Sequence, residues 1–281
     1  MLTGLNALPE AAFTLAQDLN TRGLQGWIQD NVVPLILLAI AIILLWIGGR
    51  GDNAGVARRS VGLIIGLIAL GMSMIISTGQ IDISVGAQVA IISGLGIEVL
   101  NRTNSIPIML LFCLAFGVVI GCINGLLVAK GRMPAMIATL AMQSACRSII
   151  NQLGQGGPFS VNSENYDSFR KIAAGGIQIG SFKIPTLMII FILFSILFHI
   201  IMTRTRFGKH IYAVGSNETS ARLAGINVDR VKIAVFVVTG FMCGLTSWLY
   251  ASRVMSVAAA STGNLYEMDA IAAVAIGGTS M

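Results

Sequence analysis

Long apolar runs separated by short polar turns set the pattern of this chain. Residues 34–48, 60–78, 83–100, 107–129, 134–150, 184–202 and 231–251 are each nearly free of charge. Most approach the roughly 20 residues that an α-helix needs to cross the hydrocarbon core of a bilayer. The shorter ones, 34–48 among them, need flanking residues or a locally thinned bilayer. The runs are continuously apolar rather than alternating, which predicts helices and not barrel strands. The expected fold is all-α, a polytopic transmembrane helical bundle of about seven or eight spans. Residues 1–33 stand apart as an N-terminal tail or a short surface helix, with helical spacing over 8–19. Residues 34–281 form the membrane domain.

Composition removes the soluble alternatives. Hydrophobic residues make up 55% of the chain and charged residues 11%, with a mean hydropathy of +0.83. Soluble domains carry roughly 25% charged residues. Near the N-terminus, Glu10, Asp18 and Asp30 outnumber Arg22, the wrong balance for the first region of a signal peptide. The four cysteines, Cys113, Cys122, Cys146 and Cys243, lie inside apolar runs without metal-ligand spacing and read as small packing residues. A net charge of +6 does not imply a nucleic-acid partner here, because basic residues in a membrane protein set its orientation.

That rule orients the loops. The polar stretch 203–230 holds Arg204, Arg206, Lys209, Arg222 and Arg230, with Lys232 at its edge, against Glu218 and Asp229. It is expected to be cytoplasmic. Counting back puts 152–183 outside, the Lys130 and Arg132 turn inside, and 101–106 outside. Two full spans at 60–78 and 83–100 then place Arg50, Arg58 and Arg59 outside, against the rule. Either these arginines are a tolerated exception, the favoured reading, or 77–82 is a broken or re-entrant segment. Polar backbone at membrane depth is allowed where protein buries it or a cavity borders it. Gly117, Gly121 and Gly125 share one helix face, as do Gly62 and Gly66, a spacing that lets helix backbones approach closely.

Catalytic chemistry is not evident. The Gly208-Lys209 pair is followed by His210 where a phosphate-binding loop needs Ser or Thr. His199 and His210 stand alone, and no Ser-His-Asp set or metal-ligand spacing occurs. No catalytic, metal or cofactor residue is assigned, and any energy source lies outside this chain. A membrane-embedded enzyme is thereby disfavoured. An ion-coupled transporter would want several ionisable groups inside its spans, and Asp82 has little company. Within 203–230, Ser216 or Asn217 can cap a short helix, Glu218 suits its positive end, and Gly225 can end it in the left-handed region.

That loop carries a resemblance. The spacing Glu218-x-x-Ala221-x-x-x-Gly225 resembles the coupling loop of ATP-binding cassette importer permeases. The stretch from Ile75 through Ser77-Thr78-Gly79-Gln80-Ile81-Asp82 to Gly86 is similar to a signature of the ribose/galactose/xylose branch, which includes autoinducer-2 permeases. Ile123-Asn124-Gly125, Pro134-Ala135-Met136 and Tyr266-Glu267-Met268-Asp269 through Gly277-Gly278 sit where that branch has similar stretches. The resemblance covers roughly residues 60–281. It implies a permease subunit for a monosaccharide or small polyol in a bacterial inner membrane. Implied partners are a cytoplasmic ATPase holding ATP and magnesium, a periplasmic sugar-binding protein, a second permease copy or homologue, and membrane lipid.

By that resemblance Asn217, Glu218, Ala221 and Gly225 belong to an ATPase-coupling helix. A neutral polyhydroxylated substrate is best met by hydrogen-bonding side chains, so Asp82, Ser84, Gln88, Asn124 and Gln143 are the expected path residues. Each has a plainer alternative as an interhelical hydrogen bond, and Asp82 as a helix cap. Three features depart from the branch. Gln80 replaces a second glycine, which predicts a less tight bend. Residues 49–59 are short and basic. The chain ends at Met281 inside an expected span, which reads as a C-terminal truncation and leaves a non-transporting remnant as an alternative.

Overall fold

The computed structural model describes residues 53–155, 157–179 and 182–278. The expected tail or surface helix at 1–33 and the apolar run 34–48 lie outside the described residues. The first long helices are α1 (Asn53–Ser77), α2 (Val85–Thr103), α3 (Ile106–Ala129) and α4 (Ala135–Gly154). A short segment follows, with β1 (Pro158–Ser160), α5 (Ser163–Ala174), β2 (Gly176–Ile179) and β3 (Phe182–Pro185). The chain continues through α6 (Thr186–Arg204), α7 (Arg206–Ser216), α8 (Glu218–Leu223) and α9 (Val228–Val254), then β4 (Ser256–Ala258) and α10 (Tyr266–Ile276).

Among the described residues, four helices are long and apolar enough to cross a membrane: Ser60–Ser77 of α1, then α3, α6 and α9. The runs 83–100 and 134–150 do form helices, α2 and α4, yet they are not among those four. Strongly polar residues lower their mean hydropathy, Gln88, Glu98, Asn101 and Arg102 in α2 and Gln143, Arg147, Asn151 and Gln152 in α4. Gln88 and Ser93 of α2 and Thr139 of α4 are buried against neighbouring helices rather than facing lipid. The helical membrane architecture therefore stands at a coarser level than about seven or eight spans. Two antiparallel ribbons, β1 with β4 and β2 with β3, qualify the all-α expectation.

Glycine packing holds the centre. Gly117 and Gly121 of α3 face the carbonyl oxygens of Gly240 and Phe236 on α9, and a methyl on Gly125 would stand 2.9 Å from Ile233 Cα. Such close backbone approach is how helices associate where lipid offers no hydrophobic driving force. Gly66 packs on the Phe191 ring of α6, whereas Gly62 meets nothing within 4 Å. The expected second glycine face is thus a single contact. Thr239 Oγ1 donates to the Gly71 carbonyl at 3.1 Å and ties α9 to α1.

The bundle has two distinct ends. At one, β1 pairs with β4, Asn101 donates to the Ser160 carbonyl at 2.9 Å, and Ser252 Oγ donates to the Phe169 carbonyl of α5 at 2.7 Å. Ser60, early in α1, accepts from Arg253 Nε at 3.0 Å at this same end. The backbone of Arg58 and Arg59 is part of α1 next to it. The opposite end carries the basic segment of α7 and α8, where Ser77 meets Gly215. So α1 runs from the ribbon end to the basic end, α2 turns back, and 78–84 is the break between them. The backbone of Arg58 and Arg59 thus lies at the end of α1 opposite the basic segment.

Candidate functional site

The break begins with a helix stop of a defined kind. Gln80 N–H donates to the Ile75 carbonyl at 3.2 Å and Gly79 N–H to the Ile76 carbonyl at 2.9 Å, with Gly79 at φ +74°. This is the Schellman pattern, which needs one left-handed residue. Gln80 is not among the positive-φ positions, so replacing a second glycine there does not loosen the bend. The expected slackening at Gln80 is corrected on that ground.

Beyond the turn, four of the expected path residues come together. Ser84 Oγ donates to Asp82 Oδ1 at 2.6 Å and accepts from Gln88 Nε2 at 2.8 Å and from Asn124 Nδ2 at 3.0 Å. One hydroxyl thus uses its donor and both acceptor positions. The Ser84 N–H also donates to Asp82 Oδ1 at 2.8 Å, so Asp82 ties down the backbone entering α2 as well as joining the cluster. All four side chains are closed from solvent. Gln88 Oε1 and Asn124 Oδ1 have no hydrogen-bond partner among the described residues. Buried acceptors left open cost free energy, and they suit a hydroxyl donor.

Gln143 is not bonded to this cluster. Its Nε2 donates to Glu267 Oε1 at 3.3 Å, which links α4 to the first turn of α10. Glu267 lies in the first turn of α10 and is buried, with Oε2 unpartnered among the described residues. Thr139 and Arg147 were not foreseen. Thr139 Oγ1 accepts from Ile83 N–H at 3.1 Å and so holds the break against α4. Arg147 Nη1 donates to the Thr262 carbonyl at 2.5 Å. Both sit in a run that reads simply as apolar, and only the placement of 83 and 262 beside α4 reveals them.

At the basic end, the short helix α8 forms with the caps its residues favour. Asn217 Oδ1 accepts from Ser220 N–H at 2.8 Å. Gly225, at φ +81°, closes the helix as Ile226 N–H reaches the Ala221 carbonyl at 3.0 Å. Glu218 receives Lys232 Nζ at 2.8 Å and Arg222 Nη2 at 3.0 Å, and Arg222 also meets Asp229 at 2.8 Å. The hydrogen bond from Lys232, then that from Arg222, holds the Glu218 carboxyl below its ordinary pKa. Ala221 is buried, whereas Leu223 is 85% exposed. No sequence signal marked Leu223, since a leucine in a short amphipathic helix ordinarily turns inward.

A cavity of about 670 Å³ separates α8 from the break and the α3–α4 turn. Its wall includes Gln80, Arg132, Pro134, Glu218, Arg222 and Lys232. No cluster of three or more His, Cys, Asp or Glu that could hold a metal occurs among the described residues. Cys113, Cys146 and Cys243 are buried and free, Cys122 half-buried and free.

Comparison with known proteins gives a consistent group. The family model described as branched-chain amino acid transport system / permease component matches residues 59–281. The ribose import permease protein of Haemophilus influenzae is 36% identical over 216 residues, covering 76% of this chain and 65% of that protein. Its Bacillus subtilis counterpart is 38% identical over 221 residues, covering 78% and 66%. The xylose transport system permease protein of Escherichia coli is 28% identical over 312 residues, covering 89% and 79%. The chain thus spans just under two thirds of the length of these ribose relatives. No solved structure matches.

Proposed function

The chain belongs to the branched-chain amino acid transport system / permease component family, and from that membership we propose that it is the membrane-spanning subunit of an ATP-driven sugar importer. Its substrate would be a monosaccharide, with ribose the first to test given the ribose permeases it resembles. A separate cytoplasmic ATPase would bind and hydrolyse ATP with magnesium. A periplasmic binding protein would deliver the sugar, and a second permease copy or homologue would complete the path in a bacterial inner membrane.

The observation that carries this reading is α8. It is a capped six-residue helix at the basic end of a membrane bundle, held by ion pairs to α9, with the apolar side chain of Leu223 standing 85% exposed. A large apolar side chain held in water on a capped helix gains free energy when a partner groove covers it. On the substrate side, the free amide oxygens of Gln88 and Asn124 are acceptors for sugar hydroxyls once the cluster around Ser84 opens. Residues 203–230 are then the coupling loop, with Asn217, Glu218, Ala221 and Gly225 building its helix.

The test is co-purification from detergent-solubilised membranes with an ATP-binding cassette ATPase. L223D is expected to lower ATPase recovery about tenfold, the loss of one anchor worth 1.4 kcal/mol or more, while the amount of inserted chain is unchanged. Equal recovery with wild type and L223D would remove α8 as the docking element.

A further inference from the structure

The end of α7 touches the end of α1 backbone to backbone. A methyl group at Gly215 would run into the Ser77 carbonyl oxygen and come within 3.4 Å of Thr78 Cα. Gly215 lies two residues before Asn217, the cap of α8, and Ser77 is the last residue before the break at 78–84. The neighbours of Gly215 on α7, Ile211 and Val214, are buried, so α7 is seated rather than resting on the surface. The break is pinned at its start by the Gly79 turn and at its finish by the bonds of Ile83 to Thr139 and of Ser84 to Asp82.

Gln80 stands midway in this pinned segment, on the wall of the 670 Å³ cavity that α8 borders from the other side. Its Oε1 is buried without a hydrogen-bond partner among the described residues. The donors Arg132, Arg222 and Lys232 border the same space. A shift bringing α8 and the break closer would let a donor from across the cavity reach Gln80 Oε1.

Resting on the importer reading above, we propose that the α7–α8 segment acts directly on the 78–84 break, with Gly215 against Ser77 as the point of transmission. A contact made by backbone alone leaves no side chain to absorb a displacement. When α8 moves with its partner, α7 carries Ser77, Gln80 shifts across the cavity, and the strain reaches Asp82 and the cluster around Ser84. Gly215 is a positioning residue in this scheme, and the cavity is the space through which the break moves.

The experiment uses the full chain in proteoliposomes with the ATPase that co-purifies with it. Maleimide labelling at the Q80C position is read by mass spectrometry, nucleotide-free and after trapping with Mg-ATP and vanadate. The labelling rate is expected to change at least about fivefold on trapping, the lower range of conformational coupling between sites. In Q80C combined with G215A the change is expected to vanish while the ATPase still co-purifies. G62A, at a glycine with open space around it, is the control and should keep the change. An equal rate in both nucleotide states of Q80C overturns the proposal, whether or not G215A folds. A change that survives G215A overturns Gly215 as the transmitting contact. Failure of any ATPase to co-purify with the wild-type chain overturns the importer reading and this proposal with it.

Discussion

Ser84 is the residue on which the inner polar cluster turns. Its hydroxyl donates once and accepts twice, at 2.6, 2.8 and 3.0 Å, joining Asp82, Gln88 and Asn124 from the break, α2 and α3. Removing it leaves a buried carboxylate and two amides without their common partner. S84A is expected to destabilise the chain by about 2 kcal/mol and to slow uptake, whereas S84T, which keeps the hydroxyl, should retain more of both. Urea or thermal unfolding in detergent, beside uptake, checks this, and an S84A variant as stable and active as wild type would refute it. Asp82 stands out in the sequence between apolar runs, and Ser84, Gln88 and Asn124 stand out as hydrogen-bonding side chains within them. Sequence alone did not mark Thr139 or Arg147, whose partners are 56 and 115 residues away along the chain.

At the scale of elements, the short helix α8 was the most legible part. Asn217, Glu218 and Gly225 each have a local preference, for a cap, a positive helix end and a left-handed stop, and each occupies that place. What no local preference encodes is the bridge from Glu218 to Lys232, 14 residues on. That bridge sets a pH response. A carboxyl whose folded pKa is depressed contributes stability above its unfolded value of about 4.3 and loses it as pH falls through the folded value. The α8–α9 link is therefore expected to be flat from neutral pH down to about 5 and to loosen below the ordinary carboxylate range. Amide exchange in 217–230 should show this, with E218Q already loose at neutral pH. Protection that falls between pH 8 and 6 in the wild type would contradict it. The glycine seam of α3 was legible from its spacing of four. The partner seam on α9, with Gly240 and Gly244 facing Gly117 and Cys113 carbonyls, was not, since spacing names a face but not its neighbour.

For the whole molecule, periodicity and length gave the helical membrane class, while span number was less legible. α2 is largely enclosed and carries Gln88 and Ser93 into the bundle, whereas α4 is mostly exposed and turns Thr139 inward, and hydropathy does not separate the two cases. The break at 78–84 lies at the basic end beside α7 and α8, a placement that charge counting alone does not supply. Under the proposed importer reading, sugar binding inside the bundle would be driven from the basic end by an ATPase on α8. The most direct test is labelled ribose uptake by proteoliposomes holding the chain, its co-purifying ATPase and a ribose-binding protein. The account predicts accumulation that requires ATP on the side of α8 and is unchanged by a protonophore. Uptake that proceeds without ATP and collapses with the protonophore would contradict it.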